Sequence, residues 1–210
     1  YIPLEDGVPD AFHTKEQVSR TLEYAYDDFA LAQMAKALGK TDDYQALIQR
    51  AANYRNVIDS RTGYAQGRHA DGTFLNDANA FNFARFITEG APCHYTWYVP
   101  QDPYGLMDCM GGKDKYVAKL DSMFSEQRYW HGNEPCHQVF NYAGEPWKTQ
   151  RAVRHIMETE YLNEPGGLSG NDDAGQMSAW YMFAAMGFYP VCPGTPYYLL
   201  ASPSFPSFTL

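Results

Sequence analysis

TKEQVSRTLEYAYDDFALAQMAKALGKTDDYQALIQRAANYRNVI, residues 14–58, decides how the rest of the chain is read. Val18, Leu22, Ala25, Phe29, Ala32 and Leu38 recur at near-helical spacing. Thr14, with Gln17 three residues on, has the pattern of a capping box. Gly39 is placed to end that helix in the left-handed conformation that favours glycine. Thr41 then caps a second helix with an apolar stripe of Tyr44, Leu47, Ile48, Ala51, Tyr54 and Ile58. Very few residues join the two, which predicts an antiparallel helical hairpin.

Outward from the hairpin, Ser60 to Ala80 is rich in Gly, Asp and Asn and reads as a long loop carrying Arg68 and Asp71. Such a loop is either functional or a solvated connection. Helical character returns around Asn82 to Phe86 and from Ala91 to Val99. It returns again from Pro103 to Phe124, with a break at Gly111-Gly112. Pro146 suits the first position of a helix running to about Tyr161. A last helix follows Asp173 and ends near Gly187. Tyr197 to Ala201 and Phe208 to Leu210 are short strand-like runs punctuated by proline. Helical pairs without strand–helix alternation predict an all-α domain and argue against a βαβ sheet.

Composition narrows the function classes. With 45% hydrophobic and 16% aromatic residues, the chain can build a core and is not a disordered segment. Its net charge of −9 argues against nucleic acid and against an anionic membrane surface, and no apolar run is long enough for a membrane span. The many Tyr and Trp rings suit stacking on the apolar face of a sugar, although most such rings serve as core or rim residues. Cys93, Cys109, Cys136 and Cys192 are widely spaced without a C-x-x-C pair, which weakens zinc and dithiol readings. The chain starts at Tyr1 with no leader and reads as an excised or incomplete sequence.

Gly170-Asn171-Asp172-Asp173-Ala174-Gly175-Gln176-Met177-Ser178-Ala179-Trp180-Tyr181 sets two adjacent carboxylates in a glycine-bracketed turn before an amphipathic helix. A helix N-terminus favours negative charge, so the pair reads either as a general base with its partner or as an ordinary capping Asp with a solvated neighbour. Glu89, in Thr88-Glu89-Gly90, has Phe86, Tyr95 and Trp97 nearby in sequence. An apolar setting would raise its pKa and suit an acid catalyst, while the plainer reading is a helix-terminal Glu. Asn133 and Glu134 offer oxygen ligands of the kind hard cations take, although Asn133-Glu134-Pro135 also reads as a turn before a helix. His131 and His137 flank that motif without any zinc spacing. Glu23 and Asp27 share a helix face, where like charges repel unless a ligand, a cation or an Arg intervenes. A solvated face, with Asp28 beside it, is the simpler account.

The Gly170–Tyr181 stretch resembles the signature of family 92 glycoside hydrolases, the calcium-dependent exo-acting α-mannosidases. Three further stretches resemble it in order. They are Thr21-Leu22-Glu23-Tyr24-Ala25-Tyr26-Asp27-Asp28, then Thr88-Glu89-Gly90 with Tyr95-Thr96-Trp97-Tyr98-Val99-Pro100-Gln101-Asp102, then His131-Gly132-Asn133-Glu134-Pro135 leading to Asn141-Tyr142-Ala143-Gly144-Glu145-Pro146-Trp147-Lys148-Thr149-Gln150. The resemblance runs from Tyr1 to about Phe205. It implies a partial (α/α)6 toroid of paired antiparallel helices with short C-terminal strand segments. Residues 1–190 would be the C-terminal half of the catalytic domain, and 191–210 the start of a strand-like segment. The preceding β-sandwich and the first half of the barrel would lie outside this chain, so that this chain alone need not be active.

The resemblance further implies an inverting α-mannosidase acting on mannose-containing glycans, α-1,2 linkages first, in a secreted, periplasmic or cell-surface protein. Glu89 would be the general acid and Asp173, with Asp172, the base. Asn133 and Glu134 would bind calcium, and Trp97, His131 and Glu134 would contact substrate. The chain departs from the family pattern at Cys136-His137-Gln138 and at Gln101. A non-catalytic calcium-dependent carbohydrate-binding fragment is the alternative. Retention of Glu89 and the Asp pair speaks against it. A glycosidase or phosphorylase of another (α/α)6 family is a third reading, and no phosphate-binding cluster supports phosphorolysis.

Overall fold

The computed structural model describes residues 1–6, 15–76 and 79–209, with backbone alone at 138–140. Thr14 and Leu210, which the sequence reading invoked, lie outside the described residues. Two compact units emerge, Tyr1–Lys119 and Leu120–Leu210.

The first unit opens on the expected hairpin. Helix α1 spans Gln17–Ala37 and buries Val18, Leu22, Ala25, Ala32 and Ala35. It stops as predicted at Gly39, whose φ is +68°. Gly39 N–H donates to Lys36 O and Lys40 N–H to Ala35 O, the paired bonds of a Schellman ending. Helix α2, Thr41–Ala51, follows at once. Ala32 and Ala35 pack on Leu47, Tyr44 and Ile48, while Asp28 farther back along α1 meets Arg50 farther along α2 at 2.9 Å. Contacts running in opposite senses along the two helices make the pair antiparallel.

Several local readings need correction. Gln17 does not complete a capping box; its buried amide donates to Leu4 O and Asp6 O and fastens the N-terminal segment. Leu38 is exposed, beyond the buried stripe. Thr41 is the first residue of α2, and its N-cap, Lys40, makes no side-chain cap bond. Helix α2 also ends before Ile58. A 3-10 turn over Ala52–Asn56 buries Tyr54, and Ile58–Asp59 becomes β1, paired antiparallel with β2 at Tyr64–Ala65. Arg68 and Asp71 hold the following loop in shape: Arg68 donates to Asn56 O and Gly72 O, and Asp71 accepts from Thr73.

Asn82 to Phe86 forms turns rather than a helix. The helix expected over Ala91–Val99 contracts to α3, Pro92–Tyr95. Helix α4, Pro103–Cys109, is capped by Asp102, which accepts from Gly105 N at 2.8 Å. Gly111 and Gly112, with φ of +89° and +112°, break it from α5, Lys113–Ser125, as the sequence predicts. The division between the two units falls within α5.

The second unit contains a 3-10 turn at Glu134–Phe140, then α6 at Pro146–Thr159, with Pro146 in the first turn as expected. Helix α6 buries Ala152, Val153, Ile156 and Met157. Helix α7, Gln176–Met186, sends Met177, Trp180 and Ala184 into the core with no exposure, and Gly187 at φ +85° ends it. The chain turns back so that β3, Phe188–Tyr189, pairs antiparallel with β4, Leu199–Leu200. Ala201 N–H and Ser204 N–H bond to Gly187 O and Ala185 O, so residues past 191 pack against the end of α7. Phe208 and Thr209 form no strand. All four cysteines are free thiols. Among the described residues no helix is long and apolar enough to cross a membrane.

Candidate active site

The glycine-bracketed carboxylate pair forms a left-handed turn ahead of α7. Asp173, Ala174 and Gly175 have φ of +46°, +56° and +95°. Two of these carry a Cβ and are disfavoured in that conformation, so the rest of the turn must hold them there. Asp172 does much of this. Its Oδ1 accepts from Ser178 N–H at 2.9 Å, and its carbonyl accepts from Gly175 N–H and Met177 N–H. Asp172 thus caps α7 from upstream, serving amides that Gly175, the N-cap residue, cannot reach with a side chain. Asp173 is exposed at the tip, with no side-chain partner among the described residues.

Gly170, the other bracket, is not an open approach for another molecule. Its backbone lies against Gly132, and a Cβ there would overlap the Gly132 carbonyl oxygen and stand 2.8 Å from its Cα. The His131–Glu134 segment is therefore pressed directly on the residues leading to the carboxylate turn.

His131 has no exposure, and both ring nitrogens are engaged. Nδ1 lies 2.8 Å from the Tyr129 hydroxyl and Nε2 lies 2.6 Å from the Tyr161 hydroxyl. Tyr161 donates to Met177 O at 3.0 Å. Tyr161 then accepts from His131 Nε2–H, and Nδ1 accepts from Tyr129, which assigns the tautomer. His137, also buried, faces His131 O through Nε2 at 3.0 Å and the Gln176 amide through Nδ1 at 3.4 Å. Its ring stacks on His131 with centroids 4.5 Å apart. Burial, reinforced by His137, pushes the His131 pKa down to about 2. Burial pushes His137 down to about 4, against a partial offset from its bond to the His131 carbonyl. Both rings are neutral at ordinary pH. The expected substrate contact through His131 is corrected: a fully enclosed imidazole cannot meet a sugar.

Asn133 is buried and Glu134 half-buried at the start of the 3-10 turn. Their oxygens suit a hard cation in kind, but calcium takes about six to eight oxygens. Among the described residues no group of three or more His, Cys, Asp or Glu side chains could hold a metal.

In the first unit, Glu89 sits on a loop fastened to the start of α1. Glu16 N–H donates to Arg85 O, Val18 N–H to Phe86 O, and Thr88 N–H to Ser19 Oγ at 2.8 Å. Glu89 itself adopts φ +51° and is exposed. The apolar enclosure expected from its sequence neighbours is not formed around it by the described residues: Phe86, Tyr95 and Trp97 turn into the core. Trp97 is 4% exposed and edge-on to Tyr116, so it is a core ring and not an open stacking platform. Trp180 is core as well, whereas Trp147 is exposed. Asp28, nearly buried, is neutralised by Arg50, and Glu23 accepts from the Tyr98 hydroxyl, so the α1 acids are not simply a solvated face.

The catalytic-domain model of glycosyl hydrolase family 92 matches residues 1–210. The chain belongs to glycosyl hydrolase family 92. Among solved structures, this family 92 chain is similar to a family GH92 alpha-mannosidase from Bacteroides thetaiotaomicron, at 48% identity and a TM-score of 0.84 over 90% of the chain. It is also similar to a family GH92 inverting mannosidase from the same organism, at 39% identity and a TM-score of 0.82 over 90% of the chain. A curated relative, an uncharacterized secreted glycosidase of Arthroderma benhamiae, is 29% identical across 98% of the chain. The chain spans 26% and 29% of the two solved chains and 30% of the curated relative. The mostly helical fold agrees with the helical-toroid class implied by the sequence motifs.

Sequence reasoning missed Tyr129, Tyr161, Gln176 and Tyr189. Tyr189 accepts from the Gln176 amide at 3.0 Å. Gln176 stands inside the motif that drew attention to the Asp pair, and its polar side chain at the first position of an otherwise apolar helix was the available signal. Tyr161 carries no local pattern that marks it.

Proposed function

We propose that the protein containing this chain is an inverting, exo-acting α-mannosidase that releases mannose from mannose-containing glycans, with α-1,2 linkages as first choice. The observation that carries the reading is the unequal setting of the Asp pair. Asp172 is committed to capping α7, while Asp173 is exposed at the tip, without a side-chain partner among the described residues. Two adjacent carboxylates with different duties are what a base and its orienting neighbour require.

In the proposed reaction Glu89 gives its proton to the glycosidic oxygen as the bond from that oxygen to C1 breaks. A water attacks C1 from the opposite face and passes its proton to Asp173. The products are mannose with inverted anomeric configuration and the free alcohol. Asp172 keeps Asp173 in place through the turn. Calcium dependence is part of the reading, with Asn133 and Glu134 supplying two of the oxygens. The secreted character of the curated relative supports a location outside the cytoplasm.

Hydrolysis of α-1,2-mannobiose by the longer protein that contains this chain, with and without EGTA, tests the reading. EGTA-sensitive release of mannose is expected. Glu89→Gln should abolish turnover and leave sugar binding intact; full activity in that variant would overturn the acid assignment. Sugar binding without release from any mannoside would favour a non-catalytic carbohydrate-binding role.

A further inference from the structure

Building on the mannosidase reading, we propose that Tyr161 and Gln176 are positioning residues that clamp the first turn of α7, and with it the Asp172–Asp173 turn, to the buried His131–His137 pair. Tyr161 makes one hydroxyl serve both sides, accepting from His131 Nε2 and donating to the carbonyl of Met177, the second residue of α7. Gln176, the first residue of α7, carries the other tie, from its amide to His137 Nδ1 and to the Tyr189 hydroxyl. The same turn of α7 holds the carboxylate loop, because Asp172 accepts from the amides of Met177 and Ser178. An independent contact closes the arrangement: the backbone of Gly132 lies on that of Gly170, where neither residue has room for a Cβ.

The chain of contacts therefore runs from a stack of enclosed rings to the backbone that aims Asp173. Trp180, without exposure, packs against His131 at 4.4 Å between centroids and lies parallel to Tyr161. A largely buried hydrogen-bonded network is stiff, and losing one partner leaves polar atoms without a bond in a mostly apolar surround. The Asn133–Glu134 segment and the Asp turn are by this account held as one rigid piece, so the base keeps its aim through the backbone bond from Gln176 N–H to Asp173 O, without a side-chain contact of its own among the described residues. A misplacement of about 1 Å at a reacting group can cost on the order of a hundredfold in rate.

The test uses Tyr161→Phe and, separately, Gln176→Met in the full-length protein, with hydrogen exchange and kinetics read on each. Tyr161→Phe keeps the ring and removes only the bridging hydroxyl. Exchange of the amides at 175–178 should quicken about tenfold, the equivalent of roughly one lost hydrogen bond, while peptides of α1 keep their wild-type rates. On a mannoside substrate, kcat should fall at least about tenfold with KM within about threefold. In an Asp173→Asn background, Tyr161→Phe should lower the residual rate no further. Wild-type exchange at 175–178 in both folded variants would overturn the clamp, and so would an undiminished kcat or a fully additive loss with Asp173→Asn. If Tyr161→Phe does not fold, Gln176→Met decides by the same readouts. Absence of mannosidase activity in the wild type would instead overturn the catalytic reading, and the exchange data would still decide the clamp.

Discussion

The backbone of Gly170 rests on that of Gly132, so closely that a Cβ on Gly170 would lie 2.8 Å from the Gly132 Cα and overlap its carbonyl oxygen. A Cβ on Gly132 would in turn stand 2.6 Å from Ser169 O and 2.5 Å from Trp130 Nε1. The backbone obstacles among these cannot swing aside as a flexible side chain can. Each glycine belongs to a motif that the sequence presents as chemical, yet both are there for packing.

Gly170→Ala should accordingly cost about 1–3 kcal/mol, the range for forcing extra volume into a packed site. Denaturant unfolding of the full-length protein measures it. Activity should fall by more than the loss of folded protein explains, because the overlap pushes on the chain just ahead of Asp172. Gly175 makes the useful contrast. It has open space around its would-be Cβ but a φ of +95°. Gly175→Asn should therefore be milder than Gly175→Ala, since Asn tolerates the left-handed region better.

The two aspartates should separate cleanly by readout. Asp172→Ala removes the acceptor of Ser178 N–H and should cost about 1 kcal/mol in stability as a lost cap, with a fall in kcat as the turn loosens. Asp173→Asn should leave the melting temperature close to that of wild type, because Asp173 has no side-chain partner among the described residues to lose and Asn accepts a φ of +46°. Its kcat should drop at least about a hundredfold if Asp173 takes the proton from water. Thermal melts paired with kinetics on a mannoside check both, and equal losses of stability in the two variants would contradict the division.

Asp59 predicts an acid-sensitive hairpin in the first unit. It is 1% exposed, and accepts from Arg61 through the backbone at 2.9 Å and the guanidinium at 2.8 Å. Burial pushes its carboxyl up, and the bonds from Arg61 more than reverse this, leaving the folded pKa below its ordinary value. The unfolded chain then binds the proton more readily, so the contribution to stability is present above a pH of about 4 and is lost as pH falls through the folded pKa. Melting temperature followed from neutral pH downward should show this loss in the wild type, and Asp59→Asn should flatten that part of the curve while lowering stability at neutral pH.

What could be read in advance follows the range of the forces involved. The α1–α2 hairpin was legible because helical spacing and a glycine stop are local signals, and Gly39, Gly111, Pro146 and Gly187 all act where they were expected. The end of α2 was not legible. Tyr54 looks like one more stripe residue, but its hydroxyl bonds Asp102 at 2.6 Å, 48 residues away, and the chain tightens into a 3-10 turn there. The aromatic company of Glu89 misled for the same reason: neighbours in sequence turned inward while the carboxylate turned out. The role of His131 depends on Tyr161, 30 residues on, and no spacing rule connects them. Motifs located the segments, whereas contacts between segments decided which atoms in them remain available.

Ser19 offers a final test of how Glu89 is aimed. It is 1% exposed on the first turn of α1, and its Oγ accepts Thr88 N–H at 2.8 Å, one residue ahead of Glu89. The Tyr95 hydroxyl also bonds to Ser19, and burial raises the pKa of that phenol. Ser19→Ala removes the acceptor of Thr88 N–H and one of the two partners of the Tyr95 hydroxyl, which keeps its bond to the Thr88 side chain, and should destabilise the first unit by about 1–3 kcal/mol. Glu89 stays in the left-handed region only while its flanks hold it, so loosening Thr88 should also lower kcat with little change in KM. Ser19→Thr, which keeps the hydroxyl oxygen, should recover most of the rate if its extra methyl is accommodated. Kinetics and melts on the two variants distinguish the roles: a rate loss in Ser19→Ala that tracks only the folded fraction would make Ser19 a packing residue with no part in aiming Glu89.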